Sequence, residues 1–228
     1  MKQLADKYGF DPKKVKTLVC GKKYSAVMLQ NGQIGVCANL FRKFDFNKND
    51  LFNIDFDNIV HRIFINAYFT ATLNYRNRKL GSADIFEAID FHKFSNIVMV
   101  GLFRPILNKM QSRGLEVATF DKKQIDRRLL PMQEMKKCIS SADSIILTAT
   151  SIFNKTFYNI VNKTKEGCKI FILGPSSTMS PEILNYKNVE MIFGAVFPLF
   201  DEKVLEVIAK GGGTRKFLKL GNKVFISR

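Results

Sequence analysis

The sequence predicts an α/β protein: a doubly wound, mostly parallel sheet preceded by a small α+β domain. Three observations carry that expectation. Five apolar, β-branched runs recur between residues 96 and 196, each separated from the next by a stretch of helical character. Ahead of them, two shorter runs, SAVMLQ and QIGVCANL, meet at Asn31-Gly32, the strongest short hairpin signal. Between these regions lies one long apolar segment of helical length.

In chain order, KTLVC offers a strand before the hairpin, so a three-stranded meander is expected over about residues 16–40. From about Asn53 to Asn77 the pattern turns helical, and NIVHRIFINAYFTATLNYRN is apolar on most faces, which predicts a buried helix. A short helix opens at Ser82, with Asp84 and Glu87 in its first turns. Then come NIVMVGL (96–102), a helix from Pro105 to about Arg113, LEVATF ending at Asp121, SIILTAT (144–150), CKIFILG (168–174) and VEMIFGAV (189–196). Asn154, Ser180 ahead of Pro181-Glu182, and Asp201 are positioned to cap the intervening helices. A domain over residues 1–90 and a Rossmann-like domain over 91–228 follow from this alternation.

The length of 228 residues lets both domains bury a core without staples. No apolar run approaches the roughly 18 to 20 residues that cross a bilayer, and the charged amino terminus lacks a secretory pattern, so a cytoplasmic protein with no membrane partner is expected. Cys20, Cys37, Cys138 and Cys168 are scattered singly, and His61 and His92 lie far apart. That excludes a histidine-rich metal cage and argues against a histidine triad, while carboxylates and a stray cysteine remain open as ligands. The net charge of +16 favours anionic partners, nucleic acid among them, but it is spread over KKVK, GKKY, YRNRK, DKKQIDRR and TRKFLKLGNK. A solvated surface, or a compositional bias shared with Phe, Asn and Ile, explains it equally.

In a doubly wound sheet, ligands bind where the strands end. Gly101 closes the first such strand, followed by Arg104, but the other glycines of a dinucleotide fingerprint are absent. Asp121 ends the second strand, 20 residues after Gly101, where ribose-binding acids sit in nucleotide-binding proteins. Thr148 and Thr150 close the third, and Gly174, Pro175, Ser176, Ser177 and Thr178 the fourth. Such hydroxyl clusters serve either a polar ligand or ordinary turns. Gly211 can stop a helix, leaving Gly212, Gly213 and Thr214 to turn amides toward an anion, or to form a plain connection before the last strand.

The segments VMVGLFRP, ILTATSIFNKT, FILGPSSTMSPE and AKGGGTRKF resemble the Rossmann-like domain of the putative heavy-metal chelation family, which follows a small domain similar to the amino-terminal domain of enolase. The resemblance spans nearly the whole chain. It implies a site between the domains, a homodimer, and a metal-chelating role through a small organic ligand. Carried over by position, it marks Thr148, Thr150, Asn154, Gly174 to Thr178, Gly211 to Thr214, and Asn74 in the buried helix. These motifs are poor in metal ligands, so any divalent metal is expected to be held through a bound chelating molecule. Two alternatives stand beside that reading: a Rossmann-type transferase using a nucleotide-like cofactor on Asp121, and a basic nucleic-acid-binding protein. No residue is assigned a catalytic role.

Overall fold

The computed structural model describes residues 1–76 and 80–228. The expected helix end at Asn77 and the end of the YRNRK run lie outside the described residues. The chain starts with a helix that the charged amino terminus did not suggest, α1 (Lys2–Tyr8), anchored by buried Leu4. Three antiparallel strands follow in the order β1 (Val15–Cys20), β2 (Tyr24–Leu29) and β3 (Ile34–Ala38). The β2–β3 turn contains Asn31-Gly32, with Gly32 at φ 83°.

Nearly every residue of β2 and β3 is buried, so this small sheet is covered on both faces. Val27, Leu29 and Cys37 pack with the long helix α2 (Ile59–Leu73), whereas Ala26, Met28, Ile34 and Val36 pack against residues near the carboxyl end of the chain. Helix and sheet approach closely at Gly35. A β-carbon there would lie 2.0 Å from the Ala67 carbonyl oxygen and 2.3 Å from the Ala71 amide. Phe64 and Phe69 on α2 are fully buried, and side chains of this kind each contribute about 1.5–3 kcal/mol.

The second sheet contains β4 (Ile97–Val100), β5 (Val117–Phe120), β6 (Ser144–Thr148), β7 (Lys169–Leu173), β8 (Val189–Val196) and β9 (Asn222–Ser227). Their spatial order is β5-β4-β6-β7-β8-β9; β4 to β8 are parallel and β9 runs antiparallel to β8. Because β4 lies between β5 and β6, the winding reverses there, and β4–β6 is the switch point. Alternate residues face opposite ways: Ile97 and Met99 join Leu107 and Met110, while Val98 and Val100 join Phe153, Ile160 and α2.

Helices α3 (Ile85–Ala88), α4 (Arg104–Gln111), α5 (Met135–Ser141), α6 (Thr150–Phe153), α7 (Phe157–Val161), α8 (Pro181–Leu184), α9 (Glu202–Ala209) and α10 (Thr214–Phe217) complete the fold. Ser180 and Asp201 cap α8 and α9. The cap of α3 is Asp84 rather than Ser82, because Glu87 reaches back to the Asp84 amide and closes a capping box. The strand expected through Thr150 stops at Thr148, since Thr150 already opens α6. Val204, Leu205 and Ile208 of α9 cover the outer face of the small sheet, so the end of the chain completes the core of its beginning.

Candidate functional site

At the switch point the structure brings six of the expected residues together. Gly101 turns the chain at φ 93°, and a β-carbon there would stand 2.6 Å from Thr148 Cβ. A side chain at Gly174 would meet Ala149 Cβ at 3.8 Å and the Phe103 ring at 4.0 Å. Asp121 Oδ2 accepts from the Leu102 amide at 2.8 Å, which ties the loop after β4 to the end of β5. Its Oδ1 accepts from the Lys123 amide. The hydroxyls of Thr148 and Thr150 are 3.1 Å apart and half-buried; among the described residues their other partner is the Thr150 amide, at 3.4 Å. Pro175 follows Gly174, also half-buried.

Two expected residues sit apart from this cluster. Arg104 donates to Asp126 at 3.2 Å and to the Ile125 carbonyl at 3.1 Å. The Arg128 guanidinium, helped by Arg104, holds the Asp126 carboxyl well below the usual range. Asn154 accepts from the Thr156 amide at 3.0 Å and hydroxyl at 2.6 Å, a local turn ahead of α7.

Ser176, Ser177 and Thr178 end up deep between α2 and the parallel sheet. Ser176 Oγ accepts from the Ala38 amide at 2.9 Å, and its carbonyl accepts from Asn66 Nδ2 at 2.9 Å. Thr178 donates to Asn66 Oδ1 at 3.2 Å. Asn74 donates to the Ser177 carbonyl at 3.0 Å and the Ala195 carbonyl at 3.3 Å, and accepts from the Met179 amide at 2.8 Å. Among the described residues Ser177 Oγ is buried without a partner. These residues form a polar joint between the two sheets.

Asn66 and Thr70 join Asn74 in that joint, although only Asn74 was expected to be functional. Asn66, Thr70 and Asn74 recur every fourth residue on one face of an otherwise apolar helix, and that spacing was the available signal. Arg62, equally out of place there, donates Nε to the Phe153 carbonyl at 2.6 Å and Nη1 to the Phe56 and Asp57 carbonyls. The Tyr75 hydroxyl accepts from the Ile34 and Phe197 amides and lies about as close to their carbonyls, bridging β3 and the end of β8.

The triple glycine has two roles. Gly211, at φ 77°, donates to the Ile208 carbonyl at 2.9 Å, and Gly212 donates to the Val207 carbonyl at 2.8 Å. This is a Schellman stop for α9. Gly212 is buried, and a β-carbon on it would strike Val207 Cγ1 and the Val207 carbonyl oxygen at 2.5 Å. Gly213 and Thr214 then open α10 beside Lys23, whose side chain would lie 3.6 Å from a Gly213 β-carbon.

The exposed Phe41 ring of the small domain lies against Lys123, just past the end of β5, with Lys123 Nζ 3.2 Å from its centre. A concavity of about 480 Å³ lies at the start of β5, around Gly114 to Val117. It gathers no comparable set of polar groups.

Among the described residues no group of three or more His, Cys, Asp or Glu side chains is placed to hold a metal ion. The Cys37 thiol is pushed up by burial, against opposing hydrogen bonds from Asn66 and Ser176, and Cys168 is pushed up to about 11 by burial. A buried thiol that keeps its proton is a poor metal ligand. The residues present therefore do not fit a cage built from protein groups alone.

Residues 84–227 match the family described as "Putative heavy-metal chelation" (DUF364). The chain belongs to that family. Residues 1–81 match a second family, DUF4213, with the same description. A DUF364 protein of unknown function from Pyrococcus horikoshii is similar with TM-score 0.79 and 21% identity, over 94% of this chain and 93% of that one. Another of unknown function, from Desulfitobacterium hafniense, has TM-score 0.74 and 19% identity over 100% of both chains. At such identities the likeness shows the heavy-metal chelation family's fold, a mostly parallel six-stranded sheet with a small antiparallel domain. No curated protein matches the chain. Among the described residues no helix is long and apolar enough to cross a membrane.

Proposed function

We propose that the protein binds a small anionic, metal-chelating molecule in a cleft between its two domains, where β4, β6 and β7 end. The observation that carries this reading is the Thr148–Thr150 hydroxyl pair, half-buried and, among the described residues, bonded only to each other and to the Thr150 amide, with Gly101 packed on Thr148 and Gly174 beside Ala149. Hydroxyls and amides suit oxyanions and polar organic groups rather than soft divalent metals. The molecule therefore supplies most of a metal's ligands, consistent with the family description and with the lack of a protein cage. Lys123 supplies positive charge at the cleft's rim.

Within this reading Ser176 to Thr178 and Asn74 hold the cleft walls in register. Asp121 positions the β4 loop. A nucleotide-using transferase has less support, because the loop after β4 lacks the second and third glycines of a dinucleotide fingerprint. The family resemblance implies a homodimer, which sedimentation would test. Native mass spectrometry and elemental analysis of the purified protein and of its T148V/T150V variant test the site. A small molecule or metal chelate retained by the first and lost by the second is expected. Equal retention by both would refute the assignment.

A further inference from the structure

A second concavity lies wholly within the small domain. It measures about 270 Å³, with exposed Lys22, Arg42 and Lys43 around it and Gly21, Asn39 and Phe44 behind. Its walls are tied together. Asn39 is buried; its Nδ2 donates to the Gly21 carbonyl at 2.5 Å, and its Oδ1 accepts from Ser25 Oγ at 2.8 Å. The Asn39 amide donates to the Lys23 carbonyl at 2.9 Å, and the Arg42 amide to the Asn39 carbonyl at 3.0 Å. The β1–β2 turn and the segment after β3 are thus one unit.

The chain reverses after Asn39 through two successive non-glycine residues in left-handed conformation, Leu40 at φ 52° and Phe41 at φ 61°. Each costs roughly 1–2 kcal/mol relative to ordinary backbone, and the result is to bring Arg42 and Lys43 alongside Lys22. Among the described residues none of these three cations forms an ion pair. Lys22 is set beside the end of α9, its Cβ 3.5 Å from where a β-carbon on Gly211 would stand. The nearby acids Asp45 and Asp50 raise the Cys20 thiol, after the larger effect of its burial, and Asp50 is engaged with the Asn47 amide. Three like charges around one small, braced hollow leave a compact anion as the missing partner.

We infer that this pocket binds a phosphate or diphosphate group of a small molecule. Three separate cations match the outward oxygens of a phosphate better than the two of a carboxylate, and the Arg42 guanidinium adds a fork that can engage two of them. None of the lining residues belongs to the strand-end cluster, so the pocket stands independently of the function proposed for that cluster.

Calorimetric titration of the full chain with inorganic pyrophosphate tests this. Saturable binding is expected, about tenfold weaker in R42A and in K43A, the loss of one charge-assisted hydrogen bond each. Binding should be largely kept in R42K. It should be unchanged in K187A, which removes an exposed cation just before β8, and in T148V/T150V. Far-UV circular dichroism and melting of R42A should match the parent protein, as expected for an exposed side chain. The inference would be overturned by absence of saturation, by K187A weakening binding as much as R42A, or by malonate binding as tightly as pyrophosphate. Loss of pyrophosphate binding in T148V/T150V would overturn it too, by placing the anion at the strand ends.

Discussion

Two hydroxyl-bearing loops follow neighbouring strands of the same sheet, one after β6 and one after β7, and they meet different fates. In the first, Thr148 and Thr150 bond to each other and to one amide, and stay half-open beside Gly101. In the second, Ser176 and Thr178 are buried and bonded to β3 and to Asn66 of α2. Both have the composition of a turn and of a ligand loop. What separates them is the polar face of α2, which covers the β7 loop and consumes its hydrogen bonds. A strand-end hydroxyl is available to a ligand only where no other element of the chain has claimed it.

The largest expected effect lies in the covered loop. N74A removes a side chain that makes three buried hydrogen bonds to Ser177, Met179 and Ala195, and should cost about 3 kcal/mol because partners are left unsatisfied. Urea denaturation would read this as a lower midpoint; an unchanged midpoint would mean that the joint carries no load.

Next comes the triple glycine, where two neighbours should behave differently. G212A forces a β-carbon against the Val207 side chain and carbonyl and should cost roughly 1–3 kcal/mol. G213A places its β-carbon in ordinary contact with Lys23 and should change stability by less than about 0.5 kcal/mol. Thermal melts of the two variants side by side decide it, and equal losses would contradict the helix-stop role.

A smaller effect concerns Asp143, away from both loops. Lys165 first, and then the Asn96 and Ser95 amides, hold its carboxyl below the ordinary value of 3.8. A depressed folded-state pKa gives stability that is present above the unfolded value and is lost as pH falls through the folded one. The difference in denaturation midpoint between about pH 6 and about pH 3 should therefore shrink in D143N. An undiminished difference would assign the acid sensitivity to other carboxylates.

Strands β1 to β8 were legible because buried parallel strands are continuous apolar runs, and because Asn31-Gly32 marks its hairpin locally; β9 was expected only as a last strand without bounds. α1 was not: its packing rests on Leu4, and its polar contacts, such as Tyr8 to Glu182 at 2.6 Å, come from the far end of the chain. Gly101, Asp121 and Thr148 could be grouped in advance because the switch-point rule depends only on strand order. The burial of Ser176 to Thr178 could not, because it depends on how α2 docks. Even so, Asn66, Thr70 and Asn74 at four-residue spacing announced a polar face that something had to satisfy. The net charge of +16 hid the pocket at Lys22 and Arg42, since residues 20 apart meet only after β2 and β3 fold back.

The contrast between the open and the covered loop is tested most directly by titrating nickel ion, alone and as its citrate complex, into the parent protein and into T148V/T150V, with melting curves on both. The expected result is binding of the complex but not of the bare ion, loss of that binding in the double variant, and melting midpoints that agree between the two proteins. Tighter binding of the bare ion, or equal binding of the complex by both proteins, would contradict a chelate site at Thr148 and Thr150.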